Sequence, residues 1–202
     1  MSFILTKEQK MIIQLAKTFA ETELAPVADE MDKNAKFAPG LVQKVADVGF
    51  LGMNVPEEYG GAGLDEVTKA LVIEEFAKVD ASVAEMLSVH TLSSDIILRN
   101  GTEEQKKKYL TALASGEKLG AFGLTEPGAG TDAAMQKTVA KDEGDHWVLN
   151  GSKVFITNAQ YADIFVVFAM VYRPDYKENP YTNHDISAFI IEKGFEGFSV
   201  QG

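Results

Sequence analysis

Residues 121–132 (AFGLTEPGAGTD) combine hydroxyl groups and glycines in a way suited to holding a phosphorylated ligand. Gly128 and Gly130 would let the backbone approach a ligand closely and adopt positive φ angles. Thr131 and the N–H groups around it could donate to phosphate oxygens, and Thr125 could donate to a ring heteroatom. No basic residue lies in this stretch, so neutral donors would have to meet any phosphate. The residues alone leave a second interpretation open, a tight structural turn between strands.

A second stretch, residues 153–158 (KVFITN), contains an aromatic side chain at the end of an expected strand. Asn150-Gly151 separates residues 147–149 (WVL) from residues 154–156 (VFI). Asn-Gly between two such runs predicts a β-hairpin with a type I′ turn, which needs positive φ at both central residues. Phe155 could then lie against a flat ring, or it could pack in the core of the sheet.

Other kinds of chemistry find little support in the residues. The three histidines are far apart and have no second ligand at helical or hairpin spacing, which predicts no metal site. The chain has no cysteine and no Gly-x-Ser-x-Gly motif. The glycine-rich residues 60–63 (GGAG) follow no strand and precede no Lys-Ser/Thr, so they fit neither a P-loop nor a Rossmann turn. They are interpreted as a flexible connector between helices.

Charge and hydropathy exclude two classes of partner. The 202 residues carry 19 Lys+Arg against 30 Asp+Glu, a net charge of −11, and no basic stripe that could neutralise nucleic-acid phosphates. No apolar run approaches the length of a membrane-spanning helix. The first residues (MSFILTKE) lack the pattern of a secretion signal, and the absence of cysteine is compatible with a reducing compartment. We therefore expect a cytoplasmic protein with neither a nucleic-acid nor a membrane partner.

The elements that would position these stretches change type near residue 118. Before it, capping boxes at Thr6 and Thr102, each with Gln three residues later, and apolar residues at helical spacing predict helices, two of them over 65–79 and 81–100. After it, strands are expected, among them 164–171 and 186–191. Because helices precede strands without βαβ alternation, the pattern predicts an α+β chain. Its expected parts are an all-helical domain, residues 1–117, and an antiparallel β domain, residues 118–202.

Taken together, these motifs resemble the acyl-CoA dehydrogenase family. Its signature runs small residue, aliphatic, Ser/Thr, Glu, two variable residues, small residue, Gly, Ser/Thr, Asp. The positions that fit are Gly123, Leu124, Thr125, Glu126, Ala129, Gly130, Thr131 and Asp132. Residues 150–158 (NGSKVFITN) are similar to the family's Asn-Gly-x-Lys hairpin and the aromatic-Ile-Thr-Asn stretch after it, and residues 56–61 (PEEYGG) and 101–106 (GTEEQK) also agree. Met135 departs from the pattern, because the signature usually ends there in a small residue.

The resemblance implies an N-terminal helical domain and a middle β domain, here incomplete, with the family's C-terminal helical domain absent. Members are typically about twice this length and form homotetramers. Because the chain stops just after an expected strand near Phe198, we expect it to be the front part of a longer protein.

The resemblance also implies a chemistry, the FAD-dependent α,β-dehydrogenation of an acyl-CoA thioester, with electrons passed to an electron-transfer flavoprotein. In the family, a Glu removes the α-proton and the β-hydrogen leaves as hydride to the flavin. That Glu lies in the C-terminal domain and has no match here; Glu126 belongs to the signature but is not the base. No catalytic residue is therefore expected in this chain.

Carried over position by position, the family's contacts fall into three groups. Residues that match the edge of the flavin ring or the segment against its other face are Phe122, Leu124, Thr125, Phe155, Ile156 and Thr157. Gly130 and Thr131 match contacts to the pyrophosphate, and Thr131 also matches a position near the CoA pantetheine arm. Asn183 aligns with a position that contacts CoA.

Substrate length and the wider chemistry stay open. Small polar residues are dense in the helix expected over residues 81–100, and they could floor an acyl pocket or simply allow close helix packing: Ser82, Ser88, Thr91, Ser93 and Ser94. General likeness favours short-chain, butyryl-type members of bacteria. Two alternatives remain, a flavin oxidase or monooxygenase on the same fold, and a folded but non-catalytic fragment.

Overall fold

The computed structural model describes residues 4–172 and 185–201. The chain divides into two compact units, residues 1–119 and residues 120–202. The first is helical and the second is built on a sheet, so the expected order of helices before strands is confirmed.

The helical unit contains six α-helices in the part of the chain that the structure describes. They are α1 Lys7–Phe19, α2 Ala28–Asn34, α3 Leu41–Asp47, α4 Glu66–Ala77, α5 Ala81–Asn100 and α6 Glu103–Ala114. A π-helical turn, Ala20–Leu24, continues α1, and a 3-10 turn spans Glu57–Tyr59. No helix of the described residues is long and apolar enough to cross a membrane.

Side-chain caps fix where four of these helices begin, and one of them is Asp80, which caps α5 by accepting from Val83 N. Thr6 and Thr102 accept from the backbone N–H groups of Gln9 and Gln105, and both glutamine side chains return the bond, so both predicted capping boxes are confirmed. Asp65 caps α4 by accepting from Thr68 and Val67, which lowers the pKa of its carboxyl to about 2 because hydrogen bonds stabilise the charged form.

Three aromatic rings form the centre of the helical core. Phe76 of α4 stacks on Phe19 of α1 at 5.5 Å between ring centroids, and it meets Phe50 edge-on at 5.3 Å. Each ring is at most 6% exposed. Edge-to-face and stacked pairs of this kind stabilise a core beyond the area that they bury.

The segment between α3 and α4 is held by its backbone, although its composition suggests a flexible connector. Gly63 N donates to Val55 O at 2.8 Å and Leu64 N donates to Met53 O at 2.7 Å. A side chain at Gly61 would overlap the backbone of Val55, so glycine is needed there for close approach. The glycines serve packing between backbones, and the expected flexibility of the connector is not found.

Three of the five small polar residues of α5, Thr91, Ser93 and Ser94, are buried in packing, whereas Ser82 is exposed. Ser93 and Ser94 are fully buried, and their hydroxyls donate to the carbonyls of Val89 and His90 one turn earlier. Such back-bonding lets a hydroxyl lie inside an apolar core without an unmet donor. Whether this helix also lines an acyl pocket stays a prediction.

The β unit is a five-stranded sheet in the described residues. Its strands are β1 Gly120–Gly123, β2 Val139–Asp142, β3 Trp147–Asn150, β4 Ile164–Val171 and β5 Ile186–Glu192. The predicted runs 164–171 and 186–191 are therefore strands. β4 is the central strand, because β5 pairs along nearly all of it while β1 pairs with its first half and β2 with its last two residues.

The sheet is mixed, which corrects the expectation of an antiparallel β domain. β5 pairs with β4 and β3 pairs with β2 in antiparallel fashion, but β1 and β2 both run parallel to β4. A parallel pair needs a long crossover, which is usually a helix. Here residues 124–163, with two strands of their own, make the crossover from β1 to β4. The absence of a helical pattern therefore did not exclude parallel pairing.

The predicted Asn150-Gly151 hairpin is also wrong. β3 pairs with β2, and the turn between them is residues 143–146, where Glu143 N donates to His146 O at 3.0 Å. Gly151 has a nearly extended φ of 158°, and a Cβ there would lie 2.6 Å from the Cα of Thr138. This glycine is needed because two backbone segments approach closely. The sequence Asn150-Gly151 alone does not show that requirement.

His90 of α5 gives the helical unit a specific pH dependence. It is fully buried, and burial lowers the pKa of its imidazole from 6.5 to about 4, against the opposing effect of backbone hydrogen bonds with Leu113 and Leu51. Below pH 6.5 the unfolded chain takes up a proton that the folded chain does not, so stability falls as the pH falls toward 4. We expect a loss of about 2 kcal/mol between pH 7.5 and pH 5 from this group.

Urea unfolding followed by circular dichroism at 222 nm measures this loss, because helices dominate that signal. The variant His90→Gln has no titratable ring, and its stability should change little over the same pH range. An equal pH dependence in both proteins would show that another group is responsible.

Candidate functional site at the end of β1

The residues after β1 fold into a small closed turn. Glu126 N donates to Ala129 O at 3.0 Å, and Ala129 N donates to Glu126 O at 3.1 Å, which leaves Pro127 and Gly128 exposed at the tip. A Cβ at Gly128 or Gly130 would meet no protein atom within 4 Å. Neither glycine has a positive φ, so that part of the expectation is wrong. The glycines leave open space beside exposed backbone donors.

Glu126 points inward from this turn and is only 7% exposed. Its carboxylate accepts from the backbone N–H groups of Lys137 and Thr138, from the Thr138 hydroxyl, and from Lys153 Nζ at 2.8 Å. The signature Glu is thus a structural centre that joins three separate parts of the chain. It was recognised as part of the motif, but its partners Thr138 and Lys153 were not identified as functional from sequence.

Burial alone would raise the pKa of the Glu126 carboxyl, because charge is poorly solvated there. Hydrogen bonds from Lys153, Thr138 and the Lys137 backbone outweigh that effect and lower the pKa to about 2. The group is therefore a carboxylate throughout the physiological range, and it is a weak proton acceptor.

Lys153 supplies the opposite charge and is equally enclosed, with its side chain 9% exposed. Besides Glu126, its ammonium donates to Leu124 O and to Gln136 Oε1, both at 3.0 Å. An ammonium has three donors, and here each has an acceptor. The next residue, Val154, donates its N–H to Thr125 O at 2.9 Å. Residues 124–126 and 153–154 are therefore bonded together directly.

Phe155 stands out in this second segment. Its φ is 56°, a conformation that bulky residues rarely adopt, and its side chain is 93% exposed. The interpretation as a core residue is wrong, because Ile156 packs instead against the cluster formed by Ala121, Ala162, Phe165 and Val167. An exposed aromatic ring in a strained backbone conformation is typical of functional sites.

The far end of the segment is fixed as well. Asn158 also has a positive φ, 68°, and its side-chain amide donates to Gly120 O at 3.0 Å. Asn tolerates this conformation better than most residues. The strained Phe155 therefore lies between Lys153 and Asn158, both of which bond to the region of β1.

The remaining residues expected at the site differ in their exposure. Phe122 is partly buried with its ring 5.5 Å from that of Phe168, while Leu124, Thr125, Ile156 and Thr157 are partly buried and Gly130 and Thr131 are exposed. Asn183 lies outside the described residues. Within the described ranges no group of His, Cys, Asp or Glu could hold a metal ion.

The strain at Phe155 can be measured by removing the side chain. Gly adopts positive φ freely, whereas a β-branched residue is disfavoured there by about 1–2 kcal/mol. Because the ring is exposed, Phe155→Gly should leave the β unit at least as stable as the original, and Phe155→Val should destabilise it. Trp147 is the only tryptophan and lies in β3, so its fluorescence during urea unfolding reports on this unit. Equal loss of stability in both variants would mean that Phe155 packs against the protein in solution.

The Glu126 carboxylate should make the β unit acid-sensitive. Its pKa is lowered from 4.5 to about 2, so its contribution is complete above pH 4.5 and is lost as the pH falls toward 2. The shift corresponds to about 3 kcal/mol. At pH 7, Glu126→Gln should destabilise the unit strongly, since it leaves the Lys153 ammonium buried without a counter-charge, and this deficit should shrink as the pH approaches 2.

The matched control is Glu143→Gln, which removes a surface carboxylate paired with Lys141 and should have little effect. A Glu126→Gln deficit that stays constant from pH 7 to pH 2 would contradict the assignment of this pKa.

Comparison with known proteins identifies the family. Residues 6–117 match the acyl-CoA dehydrogenase N-terminal domain, and residues 121–202 match the acyl-CoA dehydrogenase middle domain. The short-chain-specific acyl-CoA dehydrogenase of Clostridium acetobutylicum is 50% identical over 201 residues, which are 99% of this chain and 52% of that protein.

Solved structures agree. A chain in the structure of the electron transferring flavoprotein of Acidaminococcus fermentans superposes with a TM-score of 0.88 at 48% identity, over 98% of this chain and 50% of that chain. The acyl-CoA dehydrogenase of Bacillus anthracis complexed with FAD gives 0.85 at 38% identity, over 98% of this chain and 33% of that chain.

This chain spans about half the length of the curated relatives that it matches. The two domain matches together cover nearly all of it, in the order that the structure shows. The chain belongs to the acyl-CoA dehydrogenase family.

Proposed function

We propose that this chain is the N-terminal part of an FAD-dependent dehydrogenase that acts on short-chain acyl-CoA thioesters and passes electrons to an electron-transfer flavoprotein. The family match supports the reaction class, and the short-chain-specific relative supports the substrate class. The flavoprotein structure from Acidaminococcus supports the partner. A homotetramer, which the family resemblance implies, is part of the same proposal. A cytoplasmic location is proposed as well, because the cysteine-free composition is compatible with a reducing compartment. The domain boundary at residues 117/118 is proposed from the change in sequence pattern near residue 118.

The observation that carries the proposal is the exposed ring of Phe155, beside a turn with open space and neutral donors. A flavin needs an apolar face for its ring and hydrogen-bond donors for its pyrophosphate, and the residues present fit both needs. Phe155, Ile156 and Thr157 would lie against one face of the ring, and Phe122, Leu124 and Thr125 along its edge. Gly130 and Thr131 would bind the pyrophosphate.

Each group has a separate task in this arrangement. The Phe155 side chain would cover the ring and exclude water from it, while the hydroxyls of Thr125 and Thr157 orient its heteroatoms. When bound, FAD supplies the hydride acceptor for the reaction. Thr131 would donate to a phosphate oxygen and lie close to the pantetheine arm of the substrate, and Asn183 is proposed as a further CoA contact.

No residue of this chain is proposed as the catalytic base. A base that removes an α-proton works best with a pKa near the working pH. Glu126 has a pKa of about 2 and is saturated with hydrogen bonds, so it would hold the site together rather than take a proton. The base is proposed to belong to a part of the protein outside these residues, as the family resemblance implies.

An anaerobic visible spectrum tests this function. The chain is incubated with FAD, desalted and titrated with butyryl-CoA, and the same is done with the complete gene product. We expect the complete protein to retain a flavin band that bleaches with butyryl-CoA, because it contains the base. The 202-residue chain should show no bleaching even where flavin is retained.

Phe155→Ala provides the site-specific control, because it removes the ring from an exposed position and should weaken flavin retention without unfolding the chain. A complete protein that retains no flavin, or whose flavin does not respond to any short-chain acyl-CoA, would overturn the proposed function. Rapid reoxidation of the reduced flavin by O₂ would indicate an oxidase instead.

A further inference from the structure

Phe155 is held in a strained conformation that its own side chain does nothing to maintain. The ring is 93% exposed, so packing does not fix it, and a φ of 56° is unfavourable for an aromatic residue. A conformation of this kind persists only where the surrounding structure determines it.

Most of the bonds on the N-terminal side of Phe155 lead to the segment after β1. Lys153 Nζ donates to Leu124 O at 3.0 Å and to Glu126 Oε1 at 2.8 Å, and Val154 N donates to Thr125 O at 2.9 Å. Three consecutive residues of one segment are thus bonded to two consecutive residues of the other. Phe155 is the next residue after this junction.

The side chain of Lys153 suits this junction better than other cations would. It is 9% exposed, and its three donors meet three acceptors, the third being Gln136 Oε1 at 3.0 Å. The planar guanidinium of arginine spreads its donors in a fork and cannot reproduce a compact ammonium with three acceptors. All three donors of the lysine bond to protein groups, so none is free to bind a phosphate.

We propose that Lys153 is a positioning residue, which joins residues 124–126 to residues 153–155 so that Thr125 and Phe155 are presented to the flavin in one fixed geometry. This inference rests on the proposed function for the identity of the ligand. Lys153 acts through Phe155 and Thr125 and does not itself touch the cofactor. Every bond of this junction joins two protein atoms, so none of them needs a ligand as a partner.

The test avoids leaving a buried charge without a partner. The double variant Lys153→Met/Glu126→Gln removes both charges while keeping similar side-chain volumes, and a neutral replacement of a buried pair is often tolerated. Lys137→Met is the matched control, because its side chain is exposed and only its backbone contacts Glu126. Lys153→Arg keeps the charge and tests whether the compact ammonium is needed.

Two measurements are made on the complete gene product. Hydrogen exchange of the Val154 amide reports on the junction without any ligand, with the amides of β4 and β5 as an internal reference for folding. The dissociation constant of FAD and the shape of its visible absorption band report on the positioned site. A merely structural role of Lys153 would change neither the shape of the band nor the affinity of a protein that remains folded.

For the double variant we expect at least tenfold faster exchange at Val154 with unchanged exchange in β4 and β5, at least tenfold weaker FAD binding and an altered band. Lys153→Arg should behave like the double variant, and Lys137→Met like the original protein. A folded double variant with the original affinity and band would overturn the proposal. A double variant whose Val154 amide exchanges as slowly as in the original protein would overturn it as well.

Failure of the proposed function gives a different result. A protein that never binds FAD, but whose Val154 amide loses protection in the double variant, would refute the proposed function and the positioning role toward flavin. The conclusion that Lys153 joins residues 124–126 to residues 153–155 would still be supported.

Discussion

A buried ammonium must be surrounded by acceptors, and this constraint organises the β unit around its candidate site. Lys153 has to meet Glu126, Leu124 O and Gln136 within one small volume. The segment after β1, the segment before β2 and the segment after β3 are therefore brought together at one place. Removing either charge would leave the other without compensation in a poorly solvated position, which is far more costly than losing a surface ion pair.

Features that depend on residues close together in the chain could be predicted from the sequence. Capping boxes at Thr6 and Thr102 were predicted correctly because their bonds join residues three positions apart. The hydrophobic runs that became β4 and β5 were equally clear. The order of helices before strands, and the family itself, could be recognised from motifs of this kind. All of these features depend on neighbours in the chain.

Features that depend on distant residues could not be predicted. Gly151 looked like a hairpin glycine, but it is needed because the backbone of Thr138 lies against it. β1 and β4 pair in parallel through a crossover that contains no α-helix, so no α-helical pattern in the sequence indicates the pairing. Phe155 was expected near a flat ring, but neither its positive φ nor its exposure could be inferred from the residue types around it. A sequence shows the residue types of a site more readily than the contacts that position their side chains.

The site separates the groups that hold it together from the groups that would touch a ligand. Its buried cation and anion, Lys153 and Glu126, satisfy each other and the backbone, and neither is available to solvent. The surface offers a neutral ring, hydroxyls and backbone N–H groups beside glycines that leave room. In a chain with a net charge of −11, a phosphorylated ligand gains little from long-range attraction. Under the proposed function, recognition would depend on the fixed geometry of neutral donors, which loses its value once the donors move. This is why a buried pair that touches no ligand can determine how well a ligand binds.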